Sequence, residues 1–83
     1  MGTDVIISAK EGSQSAMRLI LMNFEPLIRH VAGNRETGVY YDDYLQAGRL
    51  GLFRAVQKTD PKVKGSFSSY ATHHIRNEMA LLS

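Results

Sequence analysis

The sequence contains no cysteine, so disulfides and thiolate metal sites are excluded. No apolar run approaches the ~18 residues of a membrane span, and no signal-peptide pattern opens the chain. The expectation is a soluble, cytoplasmic protein with no membrane role. Strand-like alternation is missing and β-branched runs are short, which argues against a sheet. There is no repeat, no low-complexity tract, no H-E-x-x-H, no phosphate-binding glycine loop and no nucleophile–base arrangement. Glu25 and the Asp42–Asp43 pair carry nothing that marks them as catalytic. An enzyme is not expected.

What remains is 83 residues, 43% apolar and 22% charged. That composition belongs to a globular domain rather than a disordered one. The length fits one small domain over 1–83, thinly stable unless its helices pack well or a partner helps. The net charge of +2 is unevenly spread. Residues 1–43 hold six acids and four bases, whereas residues 44–83 hold two acids and six bases. A basic half suits an anionic partner such as nucleic acid, although chance clustering on a solvated surface would look the same.

Glycine and proline divide the chain into helical segments. "TDVIISAKEG" has Thr3 as a candidate cap and Gly12 as a stop. The next segment starts with Ser13 as cap and carries apolar residues at helical spacing to Val31. Pro26 within it predicts a kink, or a split near Phe24. "DDYLQAGRLGLFRAVQKT" has two aspartates in its first turn and a lysine in its last, matching the helix dipole. "DPKVKG" reads as a loop. A last helix runs from Ser66, a good N-cap, toward the C-terminus. The expected fold is all-α, a compact bundle of about four helices. Gly48 and Gly51 each cost a helix about 1 kcal/mol relative to alanine. Close approach of another helix is the simplest offset, most directly at Gly48 on the apolar face.

At about 100° per residue, the third helix has two faces. Leu45, Gly48, Leu52, Ala55 and Val56 form a core stripe. Asp43, Gln46, Leu50, Phe53 and Gln57 cluster away from it. This second face is either a docking surface or a widening of the core against another helix. In the fourth helix Phe67, Ala71, Ile75, Met79 and Leu82 should point inward. Tyr70, His73 and Asn77 share another face, with His74 at its border. Flat rings beside an amide suit unpaired bases: rings stack on bases and an amide can read a base edge. Lys62, Lys64 and Arg76 can hold phosphates, and Phe67, Ser68 and Ser69 could wall a pocket. The plainer alternative makes Tyr70 half-buried core. Adjacent histidines on a helix point apart and chelate poorly. His74 and Glu78 could pair, but no third ligand accompanies them, so no metal or cofactor is expected.

The stretch "DDYLQAGRLGLFRAVQKTDPKVKGSFSSYATHHIRNEM" resembles the second conserved region of bacterial RNA polymerase sigma factors. The matching positions are Asp42-Asp43-Tyr44-Leu45-Gln46, Gly48, Leu50-Gly51-Leu52, Ala55-Val56, Asp60, Phe67-Ser68-Ser69-Tyr70-Ala71 and Ile75-Arg76, in register without a gap. "EPLIRHVAGNR" resembles the helix that precedes this motif. The resemblance implies an all-helical domain that docks on polymerase and opens promoter DNA. Carried over, Asp43, Gln46, Arg49, Leu50 and Phe53 meet the clamp helices of the largest subunit of core RNA polymerase. Lys62, Lys64, Phe67, Ser69, Tyr70, His73, His74, Arg76 and Asn77 meet the non-template strand of the minus-ten element. Tyr70 takes the position that stacks a flipped adenine, and Asn77 the position that contacts the upstream base pair. His73 and His74 stand where housekeeping members carry a tryptophan pair that wedges the bubble.

The departures imply a smaller wedge and an altered polymerase contact at Ala47 and Arg49. They also imply a thinner pocket wall, with Thr59 where an aromatic is usual. The end at Ser83 leaves two readings: a fragment of a longer sigma factor, or a one-domain sigma-like protein that needs a partner chain for minus-thirty-five recognition. The second is the expectation. The other functional readings are a sigma-like module held by a regulatory or anti-sigma partner, and a generic helical regulator that binds duplex DNA.

Overall fold

The computed structural model describes residues 2–34, 40–60 and 66–82. Among them are four helices and no strand: α1 (Thr3–Lys10), α2 (Gln14–Gly33), α3 (Tyr41–Lys58) and α4 (Phe67–Ala80). The expected four-helix, all-α architecture is the one observed. Residues 61–65, expected from the sequence as part of a loop and including Lys62 and Lys64, lie outside the described residues.

Local chemistry sets the helix ends. Thr3 is the first helical residue rather than the cap, and Gly2 precedes it. At the end of α1 the Ser13 N–H donates to the Ser8 carbonyl at 2.9 Å and the Gly12 N–H to the Ala9 carbonyl at 3.0 Å. This paired closure places Gly12 at φ +104°, a conformation that only glycine adopts without strain. Ser13 then caps α2, its Oγ accepting the Ala16 N–H at 3.2 Å. The predicted split near Phe24 does not occur, because α2 runs unbroken through Pro26. Proline removes the hydrogen bond to the carbonyl of Met22 one turn back. Met22 and Pro26 are both exposed, so water can serve that carbonyl. On the opposite face Ile20, Phe24, Ile28 and Val31 are buried on both sides of the proline and hold the helix to the core.

The core is apolar throughout. Ile20, Ile28, Leu52, Ala55, Val56, Ala71, Ile75 and Met79 are fully buried, and among the described residues no polar or charged residue joins them. Tyr44, not foreseen as core, is buried as well. Phe67 is half-buried and meets the Phe24 ring edge-on, with centroids 5.8 Å apart. Leu82 departs from its predicted inward position and is exposed. Helix α4 ends at Ala80, so Leu82 has left the register that would carry it inward.

The α3–α4 pair makes the most extensive helix contact, and glycine permits it. A Cβ on Gly51 would lie 2.5 Å from the His74 carbonyl oxygen and 2.8 Å from the Ile75 Cα. One on Gly48 would lie 2.6 Å from the Met79 Cε and 2.8 Å from the Ile28 Cγ2. The expectation of close helix approach therefore holds for both glycines. Gly51 makes the nearer approach to backbone. No helix among the described residues is long and apolar enough to cross a membrane.

Candidate functional site

Helix α3 packs one face against α4 and α2, with a smaller contact to α1, and leaves the other face open. Leu45, Gly48, Leu52, Ala55 and Val56 face inward, as their spacing predicts. Asp43, Gln46, Leu50, Phe53 and Gln57 all lie exposed on the other side. Leu50 keeps 44% of its surface and Phe53 48%, so this face does not widen the core. Two large apolar side chains ringed by polar ones are left in water.

Arg49 stands at the border of that face and points back toward α2. Its Nη2 donates to Glu25 Oε1 at 2.6 Å and its Nε to Glu25 Oε2 at 3.4 Å. Arg29, one turn along α2, also reaches Glu25 at 3.4 Å. The Arg49 hydrogen bond holds the Glu25 carboxyl below its ordinary range against an opposing push from burial, and the two arginine charges add to the effect. Arg49 in turn is held protonated more firmly, chiefly by that same bond. A two-pronged arginine–carboxylate bond fixes geometry as well as charge. Here it ties the middle of α2 to α3.

Helix α4 starts where Ser66 Oγ accepts the Ser69 N–H at 3.3 Å. Ala71, Ile75 and Met79 are buried, while Ser69, Tyr70, His73, Arg76 and Asn77 are exposed. His74 is half-buried between the two groups. The exposed face is organised by two interactions, each one turn apart. Tyr70 and His74 meet edge to face with centroids 4.7 Å apart and an interplanar angle of 72°. Asn77 Nδ2 lies 3.1 Å from His73 Nε2. The two imidazoles are 5.9 Å apart.

Burial pushes the His74 pKa below its ordinary value, and the positive charges of Lys58, His73 and Arg54 act the same way against Glu78. Glu78 ion-pairs with Arg54 of α3 at 3.4 Å. Among the described residues no group of three histidines, aspartates or glutamates converges to hold a metal ion.

The fold thus gathers Asp43, Gln46, Leu50 and Phe53 on α3. It gathers Ser69, Tyr70, His73, His74, Arg76 and Asn77 on α4, with Phe67 half-turned into the core. Thr59 is the C-cap of α3, and its carbonyl accepts a hydrogen bond from Lys10 Nζ. Glu25, Arg54 and Glu78 were not singled out as structural ties. Only the Glu25–Arg29 spacing of four residues gave a local signal. A shallow depression lined by Gln14, Met17, Arg18 and Leu21 shares no residue with either face.

The family described as Sigma-70 region 2 matches residues 20–80 of this chain. A relative named RNA polymerase sigma factor FliA, from Pseudomonas aeruginosa, is 31% identical over 75 residues. That alignment covers 86% of this chain and 30% of the relative. Proteins of the same name from Escherichia coli K12 and Yersinia enterocolitica are each 38% identical over 60 residues, or 68% of this chain. Those alignments cover 25% and 26% of the respective proteins. The chain therefore spans between a quarter and a third of the length of the curated relatives it matches. The matched region takes in α3, α4 and most of α2, the helices that build both exposed faces, and on this basis the chain belongs to the sigma-70 region 2 family.

Proposed function

We propose that this chain is a sigma-like transcription initiation subunit. In this reading Asp43, Gln46, Leu50 and Phe53 dock on the clamp helices of the largest subunit of core RNA polymerase. Arg49 acts at the edge of that contact, already held by Glu25. Tyr70 stacks on a base flipped from the non-template strand of the minus-ten element, and Asn77 contacts the upstream base pair. His73 and His74 flank the edge of the bubble, and Arg76, with Lys62 and Lys64, holds phosphates. Minus-thirty-five recognition comes from a further domain or a second chain. The role is binding, without chemistry on a substrate.

The observation that carries the reading is the pair of outward surfaces on consecutive helices, one apolar with a polar rim and one aromatic with amide and basic groups. Magnitudes set how they work together. Flipping a base costs a few kcal/mol. One stacked ring returns about 1–3 kcal/mol. The isolated chain should therefore bind promoter DNA weakly, and polymerase should supply the rest. Full burial of a leucine or phenylalanine is worth roughly 1.5–3 kcal/mol. Leu50 and Phe53 start about half covered, so docking gains roughly half of that from each, about 1.5–3 kcal/mol together.

The test is affinity capture of core polymerase by wild type and by Leu50→Ala/Phe53→Ala. The double variant should bind about 10-fold or more weakly while staying folded. Tyr70→Ala should lose binding to single-stranded non-template minus-ten oligonucleotides in the polymerase complex. Failure of wild type to bind core polymerase, even with a partner chain supplied, would sink the proposal. Equal loss by Tyr70→Ala on duplex of unrelated sequence would favour a duplex-binding regulator instead.

A further inference from the structure

Tyr70 and His74 are one turn apart on α4, and their rings meet edge to face with centroids 4.7 Å apart. In a helix a side chain leans over the turn N-terminal to its own Cα. The His74 ring therefore leans onto Tyr70, while Tyr70 leans away toward Ser66. The two rings differ in how firmly they are held. Tyr70 is exposed, whereas His74 is half-buried. The His74 backbone meets α3 at the tight crossing, where a Cβ on Gly51 would lie 2.5 Å from the His74 carbonyl oxygen. The next residue, Ile75, is fully buried, and Glu78, one turn on, is ion-paired with Arg54 of α3. Burial, with the charges of Lys58, His73 and Arg54, favours the neutral imidazole against the opposing pull of Glu78. His74 is thus a flat uncharged ring rooted in the α3–α4 crossing, and Tyr70 rests against it.

We propose that His74 is a positioning residue: its ring holds the Tyr70 ring in one rotamer, the one on which an unpaired base stacks. The proposal rests on the initiation reading given above. A long side chain on a helix has two common χ1 wells, and an exposed ring without a neighbour samples both. Binding a base then includes the cost of selecting one. Ordering a single mobile side chain weakens an association by about two- to tenfold, and a brace that orders it in advance removes that cost. This work needs no contact between His74 and DNA. Because the brace is rooted at the Gly51 crossing, the helix that docks on polymerase also fixes the ring that receives the base.

The test measures binding of a fluorescent single-stranded non-template minus-ten oligonucleotide to the full chain in complex with core polymerase, with the folding of each variant checked by circular dichroism. His74→Ala should bind about two- to tenfold more weakly. His74→Gln, which keeps length but no ring, should lose as much, and His74→Phe should stay near wild type. The decisive arm is a double-mutant cycle. In a Tyr70→Ala background, or on an oligonucleotide that is abasic at the stacking position, His74→Ala should cost nothing further. A direct contact of His74 with DNA, or a role confined to helix stability, would cost the same in every background and overturns the proposal. Three-bond couplings across the Tyr70 χ1 angle in the full chain give a second readout. Wild type should show one rotamer and His74→Ala an average; averaging already in wild type overturns the proposal alone. Unchanged oligonucleotide binding by Tyr70→Ala in the polymerase complex overturns the stacking reading, and the proposal falls with it.

Discussion

Replacing Gly51 by alanine adds one methyl group at the tightest point of the fold. Its Cβ would stand 2.5 Å from the His74 carbonyl oxygen, where ordinary van der Waals contact begins at 3.4 Å. The obstacle is backbone and cannot rotate aside. Helix α4 must retreat by about 0.9 Å, and a gap of that size forfeits a quarter to a half of the dispersion energy of the contacts it opens. Overpacking of this kind costs about 1–3 kcal/mol, and a backbone clash belongs at the upper end. Better helix propensity returns about 1 kcal/mol. The net expectation is a loss of about 2 kcal/mol, which for a chain of this size lowers Tm by roughly 8–16 °C. Thermal and urea unfolding followed by circular dichroism would measure it. Gly48→Ala is the control. Its nearest obstacle is the end of the flexible Met79 side chain, so it should lose less. A neutral or more stable Gly51→Ala would mean that propensity outweighs the crossing, and the account of α3–α4 packing would be wrong.

Further outcomes follow from the polar ties. A double-mutant cycle on Glu25→Gln and Arg49→Gln should give a coupling of about 0.5–1 kcal/mol, since the pair is only partly shielded from water. Because the Glu25 pKa is depressed, its contribution is complete above the ordinary value near 4.5 and is lost as pH falls through the folded-state value. Urea unfolding from pH 7 to 3 should show that slope, and Glu25→Gln should flatten it. The His74 pKa is also depressed, but here the neutral form is the one favoured by folding. Stability from this group is therefore complete above about 6.5 and declines as pH falls through that value toward the folded-state one. His74→Gln should remove that component from the pH profile, and an unchanged profile would refute the assignment. Ser66→Ala removes the cap of α4 and should cost about 1 kcal/mol. Hydrogen exchange at the Ser69 amide should rise in step.

Period alone was enough to find the inward stripe of α3, because Leu45, Leu52, Ala55 and Val56 repeat at helical spacing and all are buried. The same pattern missed Tyr44. On a wheel at about 100° per residue, Tyr44 and Gly51 lie together at one margin of the stripe, on the side turned to α4. Packing against two helices widens the buried arc of α3 to about 140°, and a sequence pattern does not announce the second neighbour. The split near Phe24, one of the two outcomes expected of Pro26, fails for a related reason. Propensity predicts a break, whereas buried residues before and after it keep one helix and leave the freed carbonyl to solvent. The exposed faces were legible as departures from the core pattern, with Leu50 and Phe53 too polar in company for an interior and Tyr70 aligned with Asn77. The ion pairs were not. Glu25 and Arg49 are 24 residues apart, and only the folded arrangement of α2 and α3 makes them neighbours.

The half-bare phenyl ring and isobutyl group on α3 have a cost before any partner arrives. A monomer that keeps such a spot wet can adhere to its own copies, and residues such as Asp43, Arg54 and the two glutamines around it act as gatekeepers against clumping. In the proposed role, the free pool should therefore be small or short-lived. Excess chain made without its polymerase should be the first to precipitate or to be degraded.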